Sequence, residues 1–283
     1  MKAQIKAKFS ANHGKIGLAL GGGGARGLAH IGALKVLAQA GIQPAYIAGT
    51  SIGAIIGAWL ALGKPLAELE TLCLSFDRSK AWRTLIDIGN PRYSILAGHK
   101  IKKFIYSLFG TKKFADCQIP LAVVATDLAN GREVIIRQGS ITRAVLASIA
   151  IPGLLPAVRV DRRYLIDGAS ANITPASVVS QLGAKIIIAL DLSVKSSAHF
   201  TAKPKLFTTL MQSYTIIREQ SIKYQLSRLK GQDRTLILVQ PAFTDIIDTF
   251  EFDQTADFIK LGEEAMRHRL PVIRRALVKP RKI

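Results

Sequence analysis

A chain of 283 residues suits one large domain or two small ones, and a hydrophobic share of 49% is ample for a core. Its 39 Lys and Arg against 19 Asp and Glu leave a formal net charge of +20, which seeks polyanions: anionic lipid headgroups, nucleic acid or acidic partners. The two cysteines, Cys73 and Cys117, exclude a cysteine-built metal site and suit a reducing compartment.

Residues 1–14 read as a loose basic arm. No apolar h-region follows its lysines, so no Sec signal peptide is read and a cytoplasmic chain is expected. Ile16 to Leu20 is a short apolar run ending in glycines and predicts a buried strand. Leu28 to Ala40 places Leu28, Ile31, Leu34 and Leu37 on one helical face, and Gly41 closes it. Between them lies Gly22-Gly23-Gly24-Ala25-Arg26-Gly27, a run of nearly bare amides at a helix start. Such amides stabilise the charge on an ester oxygen under attack without reorienting. Arg26 either adds a fixed positive charge there or holds the loop through a salt bridge. The stretch also satisfies G-x-G-x-x-G, so a dinucleotide-binding oxidoreductase is the rival reading. That site needs an acid about 20 positions on to hold the ribose, and Gln43 to Ile47 carries none.

No charge occurs from Val36 to Gly63, and Gly49, Gly53 and Gly57 are spaced as in a membrane helix pair. Pro44 and the Gly49-Thr50-Ser51 turn interrupt that stretch. It therefore reads as a buried strand at Tyr46 to Ala48 and a buried helix from Ile52 to Leu62. Strand, helix, strand, helix is the opening of a parallel α/β sheet. Gly49-Thr50-Ser51-Ile52-Gly53 then falls at a strand-to-helix turn. In that context G-x-S-x-G is a nucleophile elbow, which exposes a serine hydroxyl at the C-terminal edge of the sheet. By itself the pattern reads equally well as a packing turn of small residues.

Leu66 to Phe76 is helical in pattern. Lys80 to Gly98 lacks a period and reads as a loop or flap around Gly89-Asn90-Pro91. Lys100 to Phe109 sets Ile101, Phe104, Ile105 and Leu108 at i, i+3, i+4 and i+7, with Lys100, Lys102 and Lys103 beside them. That is the pattern of an interfacial membrane helix, or of a helix docked on the sheet with a solvated basic face. Leu121 to Ala125 and Glu133 to Ile136 are strands joined at Asn130-Gly131, a hairpin signal. Ser140 caps a helix to about Ser148. Val158 to Val160 and Tyr164 to Ile166 form a second strand pair. Pro175 to Leu182 reads as helix, Lys185 to Leu190 and Thr235 to Val239 as strands. Leu206 to Leu229 and Thr255 to Leu270 read as helices, the last broken by Pro271. One α/β domain over 15–270 with a basic tail over 271–283 is the expected organisation.

A serine nucleophile needs a base. His13, His30, His99, His199 and His268 have no motif around them, and His30 lies where a structural hydrogen bond is expected. A triad using His199 or His268 has no support in the pattern. Asp127, Asp167 and Asp191 each close an apolar strand. Asp167, in Tyr164-Leu165-Ile166-Asp167-Gly168-Ala169, is the favoured candidate, although Asp-Gly alone is a common turn pair.

Gly-Gly-Gly-x-Arg-Gly, Gly-x-Ser-x-Gly and Asp-Gly-Ala, in that order, resemble the patatin-like phospholipase family, and within it the bacterial branch related to neuropathy target esterase. The stretch from Ala147 to Val158 resembles that family's Ala-Ser-x-x-x-Pro-x-x-x-x-Pro-Val block, and Asn172 and Pro175 follow the aspartate at similar spacing. The likeness is strong over about residues 15–192. It implies a three-layer α/β/α fold with a mainly parallel central sheet, and a Ser51–Asp167 dyad without histidine. It also implies an oxyanion site around Gly22, Gly23 and Gly24. Many members carry Asp-Gly-Gly where this chain has Asp-Gly-Ala. The expected activity is hydrolysis of fatty-acyl esters of a phospholipid or lysophospholipid through an acyl-enzyme, with no metal and no cofactor.

Lipid substrates also give the positive charge a role at an anionic membrane surface, contacted by Lys100, Lys102, Lys103 and Phe104 and by the basic tail. Zinc-finger spacing and RNP-type aromatic motifs are both missing from the sequence, so a nucleic-acid partner is not expected.

Overall fold

Ile16–Leu20 and Ile186–Leu190 are apolar and buried at every position. A strand of that kind must be covered on both faces, which is the condition inside a parallel sheet between helical layers. The computed structural model describes residues 16–76, 78–90, 92, 94–193, 209, 213, 216, 222, 234–243 and 254–278. The first half of the chain contains β1 (Ile16–Leu20), α1 (Ala29–Gln39), β2 (Tyr46–Thr50), α2 (Ile52–Ala61), α3 (Leu66–Leu74), α4 (Arg78–Leu85), α5 (His99–Phe109) and β3 (Leu121–Asp127). Then come β4 (Glu133–Ile136), α6 (Ile141–Ser148), β5 (Val158–Val160), β6 (Arg163–Asp167), α7 (Ala176–Gln181), β7 (Ile186–Leu190), β8 (Thr235–Val239) and α8 (Thr255–Val278).

The described strands form one sheet in the order β5-β6-β3-β2-β1-β7-β8, with β4 also paired to β3. From β3 to β8 the pairings are parallel; β4, β5 and β6 run antiparallel to their partners. Side chains alternate across the sheet, as a pleat requires. Leu18 and Leu20 enter the larger core with residues of α1, α2 and α8, whereas Ala19, Ala48, Ala122 and Ala189 enter a smaller core under α7. The three-layer α/β/α architecture is the one expected.

The register along β3 positions the site. Val124 pairs with Ile135 of β4 and with Thr50 of β2; Ala125 pairs with Val134 of β4 and with Asp167 of β6. A strand residue has one partner on each edge, so β4 takes one edge of β3 and β2 and β6 share the other. They meet there head-on. β2 stops at Thr50, and the next place along the edge is filled by Asp167 at the end of β6.

The structure departs from the sequence expectations in three places. Residues 78–85 are helical (α4), so the loop expected from Lys80 begins only after Leu85; Ile88 and Leu96 then form an isolated bridge. The stripe on α5 faces the protein: Ile105 and Leu108 are buried, and Phe104 packs edge-on against Phe76 with ring centroids 5.5 Å apart. Phe104 is thus half-buried against the protein, while Lys100, Lys102 and Lys103 stay exposed. Thirdly, α8 does not break at Pro271 but continues to Val278. An interior proline removes one helical bond and costs about 3 kcal/mol. Burial of Ile273 and packing of Leu270, Val272, Ala276 and Leu277 on the core offset it. The first part of the expected tail, 271–278, is thus helix. The basic arm, the helix expected over 206–229 apart from four isolated positions, His13 and His199 lie outside the described residues.

Helices α1 and α8 touch backbone to backbone. A Cβ on Gly32 would lie 1.8 Å from Ile259 O, and one on Gly262 would lie 1.8 Å from Ala29 O. Lys35 of α1 ties the same junction to Glu70 of α3 at 2.6 Å and to Glu263 of α8 at 3.0 Å. Gly262→Ala should raise stability by about 1 kcal/mol if helix propensity alone mattered. Because the helices must part to admit the methyl, we expect a loss of about 1–3 kcal/mol in urea unfolding. An unchanged or higher midpoint would contradict this packing.

Candidate active site

The elbow starts from two glycines packed against backbone. A Cβ on Gly49 would meet Gly53 O at 2.3 Å, and one on Gly53 would meet Leu20 O at 2.1 Å. Neither position tolerates a side chain, so α2 can fold back tightly against β1 and β2. The turn's strain falls on the residue between them: Ser51 has φ 56° and ψ −124°. A left-handed non-glycine residue costs of order 1–3 kcal/mol and persists only where the surroundings hold it. Here the holder is Ser148. The Ser51 N–H donates to Ser148 Oγ at 2.8 Å, and Ser148 Oγ donates to Val124 O at 2.6 Å.

Ser51 Oγ donates to Asp167 Oδ2 at 2.8 Å. The two residues are 8% and 2% exposed, so this bond is shielded from water. The other carboxylate oxygen, Oδ1, accepts from the Ala169 N–H at 2.8 Å, and the Asp167 N–H donates to Ala150 O at 2.9 Å. The donor at 169 is a backbone amide, so alanine serves as well as glycine there. The small residue that matters is Gly168, where a Cβ would lie 2.2 Å from Val124 O. Asp127 and Asp191 are engaged elsewhere. Asp127 accepts from Ala129 N, whereas Asp191 accepts from Ser193 and from Gln240 Nε2.

The glycine loop lies against the serine. A Cβ on Gly22 would come within 3.2 Å of Ser51 Cβ. The Gly22 N–H donates to Ile173 O at 2.9 Å, which removes Gly22 from the expected oxyanion donors and gives it a packing role. The amides of Gly23 and Gly24 have no acceptor among the described residues. Arg26 is buried beneath the loop, with Nε 3.4 Å from Gly23 O and the guanidinium carbon 5.8 Å from the centroid of Phe243. These contacts are those of a side chain that fixes the loop. The segment after the dyad closes the site: Thr50 Oγ1 donates to Asn172 O at 2.8 Å, and Asn172 Nδ2 donates to Glu133 Oε1 at 2.6 Å. Burial pushes the Glu133 carboxyl up, against the Asn172 bond that lowers it.

His30 Nε2 pairs with Gly21 O at 2.8 Å under the same loop. Complete burial lowers its pKa to about 4, although the Gly21 bond acts in the other direction. It is a neutral structural histidine, as the sequence led us to expect. His99 and His268 are exposed. The described thiols offer no rival nucleophile, since burial pushes Cys73 up to about 12 and Cys117 up to about 11. Among the described residues no group of His, Cys, Asp and Glu could hold a metal ion. No described helix is long and apolar enough to cross a membrane.

Both the serine elbow and the Asp167 turn lie inside the stretch that a family model matches. The model described as patatin-like phospholipase matches residues 18–179. The chain belongs to that family. It is 35% identical over 190 residues to neuropathy target esterase sws of Drosophila melanogaster, covering 66% of this chain and 13% of that one. Lysophospholipase NTE1 of Yarrowia lipolytica is 34% identical over 179 residues, with 62% of this chain and 12% of its own length covered. The chain thus spans about an eighth of the length of these relatives. Among solved structures, VipD from Legionella pneumophila shares the fold at a TM-score of 0.50 with 14% identity, over 93% of this chain and 67% of that one.

Sequence reasoning placed Ser51 and Asp167 but gave Ser148 no role. The only signal was the Ala147-Ser148 pair within the stretch that resembles the family block. Ser148→Ala leaves both the Ser51 amide and Val124 O without their partner, and we expect a loss of about 1–3 kcal/mol in urea unfolding. Unchanged stability would remove Ser148 as the holder of the elbow. The His30 shift sets a pH dependence. The unfolded histidine takes up a proton near pH 6.5 while the folded one waits until about pH 4. Between those values the unfolded state binds more protons, so stability is full above pH 6.5 and falls by about 3 kcal/mol as pH drops to 4. His30→Gln should be less stable at pH 7 and lose this part of the slope, as followed by urea titrations across that range.

Proposed function

We propose that the chain is a serine acyl hydrolase of the phospholipase A or lysophospholipase type, acting through Ser51 and Asp167. The observation that carries this reading is the buried 2.8 Å bond from Ser51 Oγ to Asp167 Oδ2. Asp167 takes the hydroxyl proton as Ser51 Oγ adds to the acyl carbonyl. The carbonyl oxygen becomes an oxyanion, which in this reading the amides of Gly23 and Gly24 bind, helped by the positive end of α2. The C–O bond to the alcohol then breaks, and Asp167 returns its proton to that oxygen. Water attacks the acyl-enzyme with Asp167 again accepting a proton. Ser51 is regenerated as the fatty acid leaves.

Asp167 suits this shuttle because its Ala169 bond fixes one oxygen and leaves the other facing Ser51. The +20 net charge supports work at an anionic membrane surface, with exposed Lys100, Lys102 and Lys103 as candidate contacts. Against the oxidoreductase reading, the end of β2 carries Gly49-Thr50-Ser51 where a dinucleotide site needs its ribose-binding acid.

A fluorophosphonate probe should label the wild type and not Ser51→Ala. Asp167→Asn should retain the far-UV spectrum while turnover on a lysophospholipid falls about 10²–10⁴-fold. Labelling that persists in Ser51→Ala, or full turnover in Asp167→Asn, would overturn the dyad.

A further inference from the structure

A groove of about 730 Å³ opens between α5, α6 and β5, and none of its lining residues belongs to the dyad or the glycine loop. That volume is in the range of small-molecule sites. Ile101, Leu146, Ile149, Leu155 and Val158 supply an apolar floor. Lys102, Arg143 and Arg159 add cations to the lining, and no carboxylate lines it. Arg143 is held in place by its Nε and Nη2 both donating to Arg159 O, which leaves its outer edge for a ligand. Of the acids flanking the lining in sequence, Asp87 is occupied by the amides of Gly98, His99 and Lys100, Asp116 accepts from the Lys113 N–H, and Asp161 is exposed in the turn between β5 and β6, outside the lining. The described ion pairs include none of the three cations.

We infer that this groove binds a long-chain fatty-acid anion, with the chain along the apolar floor and the carboxylate at Lys102, Arg143 and Arg159. Charge complementarity selects this occupant. An uncharged chain would forgo attraction to these exposed cations, and a choline-bearing lysophospholipid would bring an ammonium beside three cations and no acid. Guanidinium forks suit a carboxylate. That the ligand is also the reaction's product rests on the proposed function; the binding itself does not. The groove sits close to the dyad without containing it. Ile149 and Ala150 line it, while Ser148 just before them bonds Ser51 N and Ala150 O accepts from Asp167 N.

The test uses dansylaminoundecanoic acid, titrated by fluorescence into full-length Ser51→Ala protein, with palmitate, methyl palmitate and lysophosphatidylcholine as competitors. We expect saturable binding displaced by palmitate, with the two competitors lacking a net negative charge about tenfold weaker or worse. Lys102→Glu with Arg159→Glu should weaken palmitate by about tenfold or more and leave methyl palmitate unchanged. Leu146→Trp should fill the floor and weaken both. If Leu146→Trp fails to fold, the charge-reversed pair, made on exposed residues, decides alone. Palmitate affinity unmoved by the charge-reversed pair, lysophosphatidylcholine binding as tightly as palmitate, or loss of the site when wild-type Ser51 is blocked by a fluorophosphonate would each overturn the inference. The two readings fail separately. A protein that no fluorophosphonate labels but that binds palmitate in a charge-sensitive manner sinks the hydrolase and keeps the groove. Intact labelling with charge-insensitive binding does the reverse.

Discussion

Strand β3 lends one backbone edge to two other strands. β2 runs along it in parallel until Thr50 pairs with Val124, and β6 arrives from the opposite direction until Asp167 pairs with Ala125. Ser51, which follows Thr50, and Asp167 are 116 residues apart in the chain and are thereby brought side by side. The Ser51–Asp167 bond follows from this register. A slip of one residue in β6 would turn the carboxylate to the other face of the sheet, and one in β2 would carry the serine elbow away from it.

Each neighbour of the dyad reinforces the same junction. Val124 O, at the meeting point, accepts from Ser148 Oγ, which in turn holds the Ser51 amide. Gly168 lets the chain after Asp167 pass over Val124 without a side chain in between. Asn172 and Ile173, a few residues on, take bonds from Thr50 and Gly22, so one short segment holds both the elbow and the glycine loop. The loop is fixed from below by Arg26 and His30. A left-handed serine can persist here because so many separate bonds over-determine its place.

Much of this was legible in the sequence because its causes are local. A G-x-S-x-G turn between an apolar strand and an apolar helix carries its own steric logic, and so does an Asp-Gly after a strand. The parallel sheet and both hairpins could be read from short apolar runs and turn pairs. What stayed hidden depends on partners far along the chain. Residues 78–85 became helical although their pattern showed no period, so propensity and tertiary packing outweighed it. Pro271 signals a helix end by its own chemistry, and burial of Ile273 with the core packing of its neighbours explains why α8 continues. The stripe on α5 had two possible destinations, core or membrane, and a single helix cannot distinguish them. Ser148 looks like any serine at a helix end until β3 is laid beside it. The occupied amide of Gly22 is likewise visible only once residue 173 is in position.

The most direct measurement is a crystal structure of the protein after reaction with an organophosphonate. The phosphorus should be bound to Ser51 Oγ, its oxygen within hydrogen-bond reach of the Gly23 and Gly24 amides, and the Asp167 carboxylate still beside the serine oxygen. An adduct on another residue, a phosphoryl oxygen directed away from the glycine loop, or an Asp167 carboxylate out of reach of position 51 would contradict the site described here.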